Sequence, residues 1–253
     1  MTVDTVPLAA AAHRTRTGDL WVFRGRAPAD RLIQTLTNSP VNHVGVAVVL
    51  GDMPPLMWHA EMGRGLTDVW TGRRQRGVQL HDLEAAVRQW TGPYGQRAWF
   101  RQIEPEVGRA EEDALLTSIA RLDGVSFPSA GRLTARWARG RLASRGRRSD
   151  LTTSGRGSLP GRDDDDEARG TGIRARLGLG GRNRPGAALR MEAAYCAEVV
   201  GLTLEEMGIL LPAGDVSWYD PGRFWSGDDL PLAPGWSYGR EIAVTVNHPG
   251  SRH

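Results

Sequence analysis

This chain of 253 residues holds a single cysteine, Cys196, and not one lysine, so all 32 of its basic residues are arginines. One thiol excludes an internal disulfide and, by itself, a structural zinc site of the multi-cysteine kind. The missing lysine reads as a coding bias toward arginine rather than a guanidinium-specific role. Long apolar runs are absent too. The longest, residues 44–50, has seven members, against the roughly 18 that a membrane-spanning helix needs. The N-terminus lacks a basic region, and the stretch at 6–12 is too short and weak for a secretory signal, so a cytoplasmic location is expected.

What is present is unevenly placed. Residues 140–190 carry 12 arginines against six acids, a net of +6, and the remainder carries 20 against 23, a net of −3. The basic segment has no aromatic residue and few large aliphatics, too little to offset the entropy of ordering it. It is expected to be a disordered Arg-rich insertion. A weak contact with nucleic acid or an anionic membrane is the binding role such clustered arginines suggest, although an acidic block at 163–167 interrupts them.

Hydrophobic periodicity places the rest in an α+β fold, a mainly antiparallel sheet with packed helices. Strands are expected at 19–23, 42–50, 56–61, 77–81, 97–103 and 240–246, the last as an edge or closing strand. The second and third form a hairpin around a Gly/Pro turn at 51–55. Helices are expected at 29–37, at 83–90 behind the cap Asp82, at 111–122 stopped by Gly124, and at 194–207. The organisation is a flexible N-terminus (1–16), a first part of one domain (17–139) with the His-bearing hairpin, the insertion (140–190), and a second part (191–253) with the Cys-bearing helix.

A cysteine nucleophile needs a base, a polar group to orient that base, and donors facing the developing oxyanion. Cys196 falls near the start of its predicted helix, where free amides and the dipole depress a thiol pKa. His43 opens the first hairpin strand and His59 lies near the end of the second, so pairing brings them close. Glu61, two residues on, points to the same face as His59 and is a rival orienting group. Tyr195 is expected to wall the site. Tyr219, Trp218 and Trp225 could line an apolar groove but are read as core. His13, His81, His248 and His253 show no pattern and are expected on the surface.

The order Gly18-Asp-Leu20, Asn42-His-Val-Gly-Val46, His59-Ala60 and Tyr195-Cys-Ala-Glu-Val199 resembles the circularly permuted NlpC/P60 group. These are papain-like cysteine enzymes that include YiiX-type bacterial hydrolases and lecithin:retinol acyltransferase relatives. In that group the His-bearing strand precedes the Cys-bearing helix, as here. The resemblance spans most of 17–208, with 140–190 unmatched. It implies a permuted papain-like fold, with Cys196 at the nucleophile position, His43 at the base and His59 at the third polar position. The YiiX branch usually has Glu-Ala where this chain has His59-Ala60, which leaves the roles of His59 and Glu61 open.

The expected function is therefore a cysteine-dependent hydrolase or acyltransferase acting on an amide or ester of a small-molecule, peptide or acyl-lipid substrate. The rival class is a non-catalytic binding or scaffold protein on the same fold, working through its Arg-rich insertion. Cys196, His43 and His59 are residue types that bind zinc, but paired cysteines and short His spacings are missing. No metal and no cofactor are expected.

Overall fold

The computed structural model describes residues 5–25, 40–61, 63–123, 189–214, 218–226 and 230–247. Nine strands are present among them: β1 (Thr5–Pro7), β2 (Leu20–Arg24), β3 (His43–Val48), β4 (Leu56–Glu61), β5 (Gly77–Asp82), β6 (Arg97–Arg101), β7 (Ile103–Glu104), β8 (Ser237–Tyr238) and β9 (Ile242–Thr245). The helices are α1 (Leu8–Arg14), α2 (Leu83–Thr91), α3 (Arg109–Leu122) and α4 (Leu189–Glu206), with a short 3-10 turn at Pro221–Phe224. The protein is α+β. Seven strands form one sheet in the order β1-β9-β6-β2-β3-β4-β5, antiparallel except for the β1–β9 pair, while β7 and β8 pair separately.

Alternation along the strands creates two cores. Val44, Val46 and Val48 of β3, Leu56, Trp58 and Ala60 of β4, and Val78 and Leu80 of β5 face one side, where α4 and α3 cover them. Trp58 Nε1 donates to Thr203 Oγ1 of α4 at 3.1 Å and ties helix to sheet. Gly201 lets the ring of Tyr219 lie against α4, since a Cβ there would meet the ring carbons at 2.6 Å. On the other side Trp21, Phe23, Ala47 and Met57 pack under α1 and α2. The face of α2 carrying Leu83, Ala86, Val87 and Trp90 is buried, and Asp82 caps the helix by accepting from Ala85 N.

Several expectations need correction. The stretch 1–16, read as flexible, supplies β1 and α1 from Thr5 onward, with Leu8, Ala11 and Ala12 buried. Its strand partner β9 lies at the far end of the chain, a pairing no local pattern announces. That same pairing makes β9 an interior strand and leaves β1 at the edge. The helix predicted at 194–207 begins at Leu189, because Leu189 to Ala194 are good helix formers that extend it backward. The helix at 29–37, the stop at Gly124 and nearly all of the 140–190 segment lie outside the described residues.

Candidate functional site

Three histidines line up across neighbouring strands on the α2 face. His43 Nε2 lies 2.9 Å from His59 Nδ1, and His59 Nε2 lies 2.9 Å from His81 Nδ1. His81 Nε2 meets Gln79 Oε1 at 3.2 Å. Register explains the row. His59 pairs with Gln79 in the β4–β5 ladder, which sets His81 diagonally beside it on the same face. Gly45 makes the approach possible on the β3 side: a Cβ there would meet Met57 Cγ at 2.8 Å and His59 Cβ at 3.2 Å.

Helix α2 roofs this row. Trp90 stacks on the His43 ring with centroids 3.7 Å apart and 14° between planes, and Tyr94, just beyond the helix, packs edge-on against Trp90. Tyr94 Oη donates to Glu61 Oε1 at 2.8 Å. Gly63 closes in on that pair, since a Cβ there would lie 2.5 Å from Tyr94 Oη. Among the described residues Glu61 Oε2 has no hydrogen-bond partner, and it lies 3.6 Å from His81 Nδ1. His43, His59, His81, Glu61 and Gln79 are all buried.

Burial sets the charge states. It pushes His43 down to about 3. His81 falls to about 4 by burial, against a small upward pull from Asp68. His59 falls well below the ordinary range through burial and then the neighbouring His81 and His43. Burial raises the Glu61 carboxyl, opposed by the Tyr94 hydrogen bond. The three imidazoles are therefore neutral near pH 7, and the 3.6 Å approach of His81 to Glu61 is not an ion pair there.

The neutral row has a direction. Gln79 Nε2 faces the carbonyl oxygens of Glu61 and Gly77 at 3.3 and 3.5 Å, which assigns Oε1 to the His81 side. Oε1 only accepts, so His81 Nε2 must carry a proton and His81 Nδ1 a lone pair. His59 Nε2 then donates to His81, and His43 Nε2 donates to His59 Nδ1. The chain of donations ends at His43 Nδ1, which carries a lone pair and is buried with no hydrogen-bond partner among the described residues. The fold thus leaves one imidazole lone pair with two histidines and an amide behind it.

The predicted site residues divide. His43, His59 and Glu61 come together, and the β3–β4 hairpin does this as expected. Cys196 is elsewhere: it is the eighth residue of α4, buried in the core beneath the opposite face with Val44, Val46 and Trp58. No hydrogen bond joins it to His43, and its amide lies inside the helix rather than free at the start. Tyr195, expected to wall an open groove, is buried in that same core. His81, expected on the surface, is the residue sequence reading missed. In the structure Val78 and Leu80 of β5 face one core while Gln79 and His81 face the other side, which α2 covers.

No protein-family model matches the chain, and no curated protein matches it. Among solved structures it is similar to the metalloprotein yiiX from Escherichia coli O157:H7, DUF1105, at 20% identity and a TM-score of 0.35. That likeness covers 46% of this chain and 55% of the yiiX chain, so this chain spans little more than half of that protein. Among the described residues no helix is long and apolar enough to cross a membrane.

Proposed function

We propose that the chain is a thiol-dependent acyl-transfer enzyme on a permuted papain-like fold, with His43 as the base, His59 as its orienting group and Cys196 as the nucleophile. One observation carries the reading. The hydrogen-bonded row from Gln79 to His43 leaves a lone pair on a partnerless Nδ1, which is the base-and-orienter half of a nucleophilic site. His43 would take the Cys196 proton, the thiolate would attack an amide or ester carbon, and the acyl-enzyme would pass to water or to another nucleophile. The reading requires Cys196 Sγ to engage His43 Nδ1, a bond this structure does not form. The two side chains stand on opposite faces of the sheet, so the active state needs a rearrangement that brings them to one side and exposes His43, lifting it from about 3.

Iodoacetamide labelling tests it. Cys196 should react faster than an ordinary buried thiol near neutral pH, and His43→Ala should slow that reaction by about 10²–10⁴-fold, the range a positioned base contributes. Equal, slow labelling in both proteins on a folded chain would overturn the reading.

A further inference from the structure

The row of histidines accounts for every ring nitrogen on its path except His43 Nδ1, yet it leaves one buried carboxylate oxygen, Glu61 Oε2, with no hydrogen-bond partner among the described residues. That oxygen sits 3.6 Å from His81 Nδ1, which is 2.9 Å from His59 Nε2. Donor atoms of His59, Glu61 and His81 all lie within 4.8 Å of one another. Metal–ligand bonds of about 2.0–2.2 Å in a tetrahedron place donor atoms roughly 3.3–3.5 Å apart. The observed separations bracket that spacing.

We infer that His59 Nε2, His81 Nδ1 and Glu61 Oε2 form a site for a borderline divalent transition ion such as zinc. Two imidazoles and one carboxylate are the donor set such ions take while keeping a further position for water. Each ligand already has an outer partner that fixes it: Tyr94 Oη on Glu61 Oε1, Gln79 Oε1 on His81 Nε2, and His43 on His59 Nδ1. The ion would supply the partner that Glu61 Oε2 lacks.

The site is linked to the base by tautomer. Without metal, His59 Nε2 carries the proton it donates to His81. A metal needs the lone pair at that nitrogen, so the proton relocates to His59 Nδ1 and is donated to His43 Nε2. His43 then holds its own proton at Nδ1. No imidazole gains or loses a net proton, but the lone pair at His43 Nδ1 disappears. Metal binding and base function exclude each other, a consequence that rests on the proposed function, whereas the metal site itself does not.

The test uses the full chain, stripped with a chelator and titrated with zinc and with cobalt(II). Calorimetry should give one ion per chain. X-ray absorption of the wild-type zinc complex should give two imidazoles and oxygen, with no sulfur. Glu61→Gln should weaken binding by more than about 100-fold and Tyr94→Phe by about 10- to 100-fold, the range for an outer partner. A sulfur ligand, fewer than two imidazoles, or affinity unchanged by Glu61→Gln would overturn the site. The wild-type spectrum decides even where a variant fails to fold. Zinc should also slow Cys196 labelling to the His43→Ala rate. Stoichiometric zinc with unaltered labelling would keep the metal site and overturn its coupling to the base, while failure of labelling in every form would sink the enzyme reading alone.

Discussion

The two faces of the sheet solve opposite problems with the same strands. Beneath α4 and α3 the side chains of β3, β4 and β5 are aliphatic or aromatic, and Cys196 sits among them as one more small apolar group. Beneath α1 and α2 the same strands present His43, His59, Glu61, Gln79 and His81, all buried. The first face needs volume and shape. The second needs every donor matched to an acceptor, because an unmatched buried polar group costs about 1–3 kcal/mol. The difference separates two kinds of core: a buried polar row roofed by Trp90 fixes side-chain orientation through its hydrogen bonds, whereas the face that holds Cys196 is fixed by volume and shape.

Substitutions should separate the faces. Trp58→Ala on the apolar face should lose about 3–5 kcal/mol in urea unfolding, through its cavity and the lost bond to Thr203. That loss should be the same at pH 8 and pH 5, since its hydrogen-bond partner Thr203 does not titrate. His59→Leu on the polar face strands His43 Nε2 and His81 Nδ1, and should cost about 2–4 kcal/mol. Unlike Trp58→Ala, it should change the pH dependence as well as the midpoint.

Acid sharpens the contrast further. His43 and His81 sit at about 3 and about 4 in the folded protein, below the ordinary 6.5. A group depressed by folding stabilises above its unfolded value, and that stability is lost as pH falls toward the folded value. The metal-free wild type should therefore lose on the order of 1.4 kcal/mol per histidine for each pH unit below about 6.5. Asp19 runs the other way. Burial raises it to about 6, against hydrogen bonds from Arg16 and Ile103, so its contribution is full below 3.8 and lost as pH rises through 6. Asp82→Ala, at the cap of α2, is the smallest effect, about 1 kcal/mol, measured as a shift in the urea midpoint.

The hairpin and its two histidines were legible because the Val run, the Gly/Pro turn and the second strand are local signals. Asp82 was legible for the same reason, as a cap before an amphipathic run. His81 was not, since its polar face reads as solvent until α2 is known to lie across it. A strand bearing His59 beside one bearing Gln79 and His81, followed by a helix with Trp90, was the available clue. The N-terminal strand was invisible because its partner is at the other end of the chain. Cys196 reads as near a helix start because the Gly- and Arg-rich stretch before it carries no apolar periodicity, although Leu189 to Ala194 are good helix formers. The helix's true beginning at Leu189 buries that amide.

The direction of the histidine row is the claim on which both the proposed base and its coupling to the metal site depend. Nitrogen-15 NMR of the metal-free full chain, with imidazoles assigned by His→Gln variants, measures it. His43 Nδ1 should show the shift of an unprotonated ring nitrogen and His43 Nε2 that of a protonated one, both steady from pH 8 to pH 6. A proton on His43 Nδ1, or an imidazolium at any of the three rings in that range, would contradict the account.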